Sequence, residues 1–192
     1  MKLLRASDHK RMPWKNGGGE TVEIAVSPDG AGLADFDWRV SMATVATDGP
    51  FSVFPGIDRT LSILDGEGMT LFIEGRAPER LTQASEPLSF AADAPTSATL
   101  IDGTITDLNV MTRRGRRENR VTRNVVSDHM ELQLTEGSTL LLCDGEKDLR
   151  IDDGDQSLVL SAQDCVVMNG PGGRRIRLSG PARFFLIEIT AI

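Results

Sequence analysis

Asp-Gly pairs punctuate this chain at Asp29-Gly30, Asp48-Gly49, Asp65-Gly66, Asp102-Gly103, Asp144-Gly145 and Asp153-Gly154. The pair suits the type I′ hairpin turn, in which both central residues take positive φ. Between the turns lie short segments of period two. Val22, Ile24 and Val26 alternate with Thr21, Glu23 and Ala25. Phe36, Trp38, Val40 and Met42 alternate with Asp37, Arg39 and Ser41, and Leu108, Val110 and Thr112 alternate with Asp107, Asn109, Met111 and Arg113. Segments of this kind are strands with one apolar face. Helical periodicity is confined to one short candidate, Ala6 to Arg11. Many short strands with frequent turns predict an all-β sandwich or barrel.

The chain also repeats itself. Leu64-Asp65-Gly66-Glu67 is echoed by Cys143-Asp144-Gly145-Glu146, each after an apolar run. Gly103 to Met111 is echoed by Gly180 to Glu188, and both offsets are about 80 residues, as two copies of one half-barrel unit would give. The expected halves are 1–114, holding the ligand pocket, and 115–192, a degenerate copy, with strands open to exchange between them. Between the copies runs Arg113-Arg114-Gly115-Arg116-Arg117-Glu118-Asn119-Arg120, with Arg123 beyond. It is expected to be a solvated linker. No aromatic residue interleaves these arginines to stack bases, so RNA is not the expected partner.

The net charge of −7 repels phosphate backbones and anionic membranes. No apolar run approaches the roughly 20 residues that cross a bilayer as a helix. Met1 to Arg11 is mixed and charged, without the apolar stretch of a secretory signal. Cys143 and Cys165 form no CxxC pair and are expected to be reduced strand residues. The expected location is cytoplasmic, with no nucleic-acid or membrane partner.

His9 and His129 are the only histidines, so a three-histidine metal site is impossible and no cofactor is expected. There is no GxSxG elbow, and Gly17-Gly18-Gly19 lacks the spacing of a phosphate-binding loop. Three stretches remain. Met12 to Thr21 combines a proline, three glycines, the flat surface of Trp14 and the polar groups of Lys15 and Asn16. Trp38 to Arg59 places Arg39 and Ser41 on one strand face, a natural carboxylate clamp if that face looks into a lumen. Asp107, Asn109, Met111 and Arg113 share one face as well, and a methionine in such a stripe favours a pocket wall over plain exposure.

MPWKNGGGET, FDWRVSMATVATDGPFSVFPGIDRTLSILDGEGM and IDGTITDLNVMTRR, in that order, resemble the HutD/Ves family, named after a histidine-utilisation protein. The resemblance is strong from Met12 to Arg114 and weaker towards the C-terminus. It implies a bicupin, two cupin-like β-barrel halves of jelly-roll type, without a catalytic metal. It also implies binding of a small anionic intermediate of histidine breakdown, such as formylglutamate or urocanate, and control of flux rather than catalysis. The positions matching its motifs are Trp14, Asn16, Arg39, Ser41, Phe51, Arg59, Asn109, Met111 and Arg113. On this reading Arg39 and Arg59 neutralise carboxylates, Ser41 and Asn109 add neutral hydrogen bonds, and Trp14, Phe51 and Met42 or Met111 form an apolar wall.

Two rivals stay open. One is a metal-independent isomerase or hydrolase acting on a small carboxylate or sugar, with Lys15, Glu20, Asp107 or His129 as its base. The other is a partner-binding protein docking through the basic linker. The oligomeric state is open, with a homodimer among the expectations.

Overall fold

The computed structural model describes residues 1–15 and 17–192; Asn16 lies outside the described residues. In chain order the strands are β1 (Lys2–Leu4), β2 (Lys10–Pro13), β3 (Gly19–Ser27), β4 (Trp38–Val45), β5 (Gly49–Pro50), β6 (Ile57–Asp65), β7 (Met69–Ile73), β8 (Glu79–Leu81), β9 (Leu88–Ala91) and β10 (Thr96–Leu100). There follow β11 (Ile105–Arg113), β12 (Arg117–Val126), β13 (His129–Gln133), β14 (Glu136–Cys143), β15 (Leu149–Asp152), β16 (Ser157–Leu160), β17 (Cys165–Pro171), β18 (Arg175–Ser179) and β19 (Ala182–Ala191). Ala6 to Arg11 is not an α-helix. Ala6–Asp8 makes one 3-10 turn, and Lys10 already begins β2, whose pairing with β3 offers hydrogen bonds that so short a helix cannot match.

The chain divides into two compact units, 10–118 and 1–9 with 119–192. In the first, a six-stranded sheet of order β2-β3-β4-β11-β6-β9 accompanies a four-stranded sheet of order β5-β10-β7-β8. Ala43, Leu61 and Ile63 of the larger sheet pack with Met69, Leu71 and Ala98 of the smaller. In the second unit, a five-stranded sheet of order β1-β17-β14-β19-β12 accompanies a four-stranded sheet of order β13-β18-β15-β16. Leu141, Cys143 and Phe184 there pack with Leu149, Ile151 and Leu178.

The two strand orders are copies. The run β9-β6-β11-β4 has its counterpart in β17-β14-β19-β12, and β5-β10-β7-β8 in β13-β18-β15-β16. The echoed Leu64-Asp65 and Cys143-Asp144 fall at the ends of the equivalent strands β6 and β14. The duplication read from the sequence is therefore a duplication of topology.

The turns differ from expectation. Among the described residues Gln163 is the only non-glycine with positive φ, so no Asp-Gly pair forms a type I′ turn. Five of the six glycines take positive φ alone, and Gly49 lies in β5. A single left-handed glycine after a right-handed aspartate closes a turn with a bulge, and the aspartate side chain can cap the loop. Asp153 of the Asp153-Gly154 pair does so, its Oδ1 accepting from the Asp155 and Gln156 N–H groups at 3.0 Å each.

The basic stretch is the solvated connection expected between the halves, made as a tight β11–β12 turn whose arginines are partly paired. Arg114 pairs with Asp58 at 2.8 Å and Asp93 at 2.9 Å, and Arg116 lies 3.5 Å from Asp37. These pairs spend much of the charge that a docking patch would need.

Asp164 fastens the N-terminal strand. It accepts from Arg5 Nη1 at 2.6 Å, the Ala6 N–H at 2.8 Å and the Ser161 N–H at 3.1 Å. Burial alone would push its carboxyl up; the hydrogen bonds outweigh that and hold it below the ordinary range. A lowered folded-state pKa stabilises above the unfolded value of about 3.9 and is lost as pH falls through the folded value. Asp164→Ala should cost about 1–3 kcal/mol in urea unfolding at pH 7, and the gap to wild type should shrink in acid. An equal gap at pH 7 and pH 3 would contradict the assignment.

Candidate functional site: a buried polar row in the first unit

β11 runs through the middle of the six-stranded sheet with β4 and β6 on either side. Register sets three rows across one face. Met111 lies between Arg39 and Arg59, Asn109 between Ser41 and Leu61, and Asp107 between Ala43 and Ile63. Because side chains alternate, these nine share the face that carries the core residues Ala43, Leu61 and Ile63. The expectation that Arg39 and Ser41 oppose Trp38, Val40 and Met42 holds. The polar face is interior, not solvent: Arg39, Ser41, Arg59, Asp107 and Asn109 are each no more than 8% exposed.

The two arginines differ. Arg39 Nε donates to Glu23 Oε2 at 2.7 Å, and Nη1 lies 3.5 Å from Ser41 Oγ. Glu23 reaches this position by regular pairing, opposite Ser41, and β3 is bulged just after it, between Glu23 and Ala25. The bulge also breaks the simple alternation, turning Val26 to the Arg39 face with Glu23 rather than away from it.

Arg59 has no such partner. It is 4% exposed, and its Nε makes no hydrogen bond. Nη2 donates to the Ser52 carbonyl at 3.3 Å, and no carboxylate comes within ion-pair distance among the described residues. Three rings surround it instead, with Cζ 5.0 Å from the Phe51 centroid, 5.6 Å from Phe54 and 5.8 Å from Phe90. Ring faces attract a guanidinium but do not cancel its charge. Burial lowers the Arg59 pKa to about 10, the Asp107 charge opposing that and the Arg39 charge adding to it.

Asp107 is the complementary case. It is 1% exposed and forms no ion pair; Asn109 Nδ2 donates to its Oδ1 at 2.5 Å, and the Ala43 N–H also serves it. Burial raises its carboxyl to about 7, against the pull of the Arg59 charge and these hydrogen bonds.

The other expected residues are placed as follows. Trp14 packs against the apolar end of this core, its Nε1 donating to Thr21 Oγ1 at 2.8 Å. Its ring lies so close to Gly19 that a Cβ there would meet it at 3.0 Å. Phe51 is one of the rings around Arg59. Met111 belongs to a buried cluster with Phe36, Ile57 and Ala92. Arg113 spends its guanidinium on the carbonyls of Phe36 (3.0 Å) and Ala34 (2.8 Å), which ties down the end of β11. Asn16 lies outside the described residues. Met42, the alternative wall residue, is on the face opposite Arg39.

Glu23, Phe54 and Phe90 are not among the expected site residues, and Asp107 is expected as part of a pocket wall and as a candidate base. A single acid inside the apolar run Val22-Glu23-Ile24 was the available signal for Glu23. Burial raises both thiols, Cys143 to about 11, so neither is a ready nucleophile at neutral pH. Among the described residues no three histidine, cysteine or carboxylate side chains gather as a metal-binding group.

The second unit has the same frame with different residues along this face. At the strand positions equivalent to Asp107 and Asn109 it carries Phe184 and Leu186. A surface depression of about 320 Å³ in that unit, lined by Lys147, Asp148, Arg150 and Val159, is open to solvent and shares no residue with the row.

The HutD family model matches residues 6–186. The chain belongs to the HutD family. It is 34% identical over 192 residues to an uncharacterized 21.2 kDa protein in the hutC 3′ region of Pseudomonas putida, covering 100% of this chain and 98% of that protein. Protein Ves of Cronobacter sakazakii is 42% identical over 113 residues, 57% of this chain and 60% of that one. The crystal structure of HutD from Pseudomonas fluorescens superposes with a TM-score of 0.85 at 31% identity, over 100% of this chain and 98% of that one. A cupin 2 conserved barrel domain protein from Leptotrichia buccalis, at 13% identity and a TM-score of 0.55 over 88% of each chain, shares the fold. The HutD family member described here is thus an all-β bicupin, as its sequence resemblance implies.

Proposed function

We propose that this HutD-family chain binds a small carboxylate metabolite in the first unit, without consuming it, and thereby reports on histidine utilisation. One observation carries the reading: Arg59 is a buried cation with an unused Nε and no carboxylate partner. An uncompensated buried charge is costly, and its natural remedy is a counter-ion from solution. The Ser52 carbonyl that holds Arg59 belongs to an exposed loop residue, so the guanidinium sits next to the surface.

In this reading Arg59 takes the carboxylate, with Arg39, Ser41 and Asn109 adding hydrogen bonds and Trp14, Phe51 and Met111 the apolar wall. Charge-assisted hydrogen bonds contribute about 1.5–3 kcal/mol each, so a fork at Arg59 with its neighbours supports micromolar affinity, about −8 kcal/mol. The hut and HutD names of the relatives support formylglutamate or urocanate as the first ligands to try. The replacement of Asp107 and Asn109 by Phe184 and Leu186 in the duplicated unit supports a role for them beyond folding.

A thermal-shift series with formylglutamate, urocanate and glutarate tests the reading. At ~100 times the dissociation constant, ligand should add about 2.7 kcal/mol, a rise of roughly 5–10 °C for a chain of this size. No shift with any carboxylate at millimolar concentration would overturn it. A metal-independent enzyme is favoured by the Asp107 carboxyl near neutrality alone; turnover of the bound acid, lost in Asp107→Asn, would establish it instead.

A further inference from the structure

Within the row, Glu23 balances Arg39, leaving Arg59 and Asp107 on the same face with no ion pair between them. With Asp107 ionised the face is neutral, and with Asp107 protonated it carries one uncompensated positive charge. A ligand carboxylate arriving at Arg59 therefore supplies the negative charge that Asp107 otherwise provides. A ligand carboxylate at Arg59 and an ionised Asp107 on the same buried face repel, and protonating the one without solvent is the less costly outcome.

We propose, resting on the binding reading above, that the site takes up a carboxylic acid as two separate parts: the carboxylate at Arg59 and a proton from solution at Asp107. No covalent bond changes; one proton moves from solvent to a carboxyl oxygen of Asp107 for each ligand bound. The neighbouring elements support this assignment. β3 presents Glu23, already spent on Arg39; β4 presents Arg39 and β6 presents Arg59. β7 and β10 present the apolar Met69, Leu71 and Ala98, and Arg113 on β11 is held by backbone carbonyls. Asp107 is thus the only group of the face free to take the proton. Its carboxyl, at about 7 in the free protein, is poised for the change near neutral pH.

The test is calorimetry of the full chain with glutarate between pH 6 and 9, where glutarate itself stays ionised. Above pH 7 the dissociation constant should rise by close to tenfold per pH unit. At pH 8, heats measured in Tris and in phosphate should differ by the ionisation enthalpy of about one proton per ligand. Asp107→Asn, neutral throughout, should bind with the acid-pH affinity at every pH. Binding that is independent of pH and buffer in the wild type would overturn the proton step and leave the binding reading standing. Absence of glutarate binding at every pH, with formylglutamate and urocanate also silent, would overturn both.

Discussion

Replacing Arg59 by methionine is expected to make the unliganded protein more stable and unable to bind carboxylates. The guanidinium is 4% exposed, and burial lowers its pKa to about 10, equivalent to a penalty of roughly 3 kcal/mol on the charged form at neutral pH. Methionine leaves no charge to desolvate and packs favourably against the rings of Phe51, Phe54 and Phe90. It gives up the hydrogen bond to the Ser52 carbonyl and the attraction of the rings, together about 1–2 kcal/mol. The net expectation is a gain of about 1–2 kcal/mol in urea unfolding, with an unchanged denaturant slope. Glutarate should bind at least 100-fold more weakly, since losing a charged fork removes about 3 kcal/mol. A destabilised variant would mean that Arg59 is a structural strut; an unchanged affinity would remove it from the site.

Arg39 should behave in the opposite way. It and Glu23 are both mostly buried, with side chains 6% and 15% exposed, and they meet at 2.7 Å. Arg39→Ala leaves Glu23 without its counter-charge and opens a hole beside Ser41, so the expected loss is about 3–5 kcal/mol. Removing both charges together, as Arg39→Met with Glu23→Leu, should restore most of that loss, because an apolar pair of similar volume substitutes well for a buried ion pair. The double-mutant cycle should report a coupling of about 2–3 kcal/mol. A loss below about 0.5 kcal/mol for Arg39→Ala would show that the pair does not hold in solution. The contrast between the two arginines is the point. They flank one methionine in one row, yet one is compensated by the protein and the other is left for a ligand.

The sequence disclosed much of this frame, for definable reasons. Period two assigns Arg39 and Ser41 to one face of their strand and Asp107, Asn109, Met111 and Arg113 to one face of theirs, because a strand cannot turn its side chains otherwise; that the two stripes share a sheet face comes from the register. The duplicated Asp-Gly landmarks disclosed the repeated topology. Alternation does not say whether a polar face meets water or the core, since that is decided by strands far away in sequence. The bulge that sets Val26, rather than Ala25, opposite Arg39 lies in a run, Val22 to Val26, that looks regular by pattern. Phe54 and Phe90 join Arg59 from a loop and from the edge strand β9, a convergence with no local trace. Arg113 shares the stripe, but its length carries the guanidinium past the row to the carbonyls of Ala34 and Phe36. Apart from Asp48-Gly49, where Gly49 opens β5, the Asp-Gly pairs marked turns or bends correctly and their type wrongly, because a single left-handed glycine suffices to close them.

The central claim is that the unpaired guanidinium of the first unit is the anchor for a small organic acid. A crystal structure of the chain grown with saturating formylglutamate or glutarate tests it directly. The account predicts a carboxylate oxygen within about 3.2 Å of the Arg59 guanidinium, with Glu23 still on Arg39. Ligand bound only elsewhere, for example in the depression beside Lys147 and Arg150, with the Arg59 fork unoccupied, would contradict it.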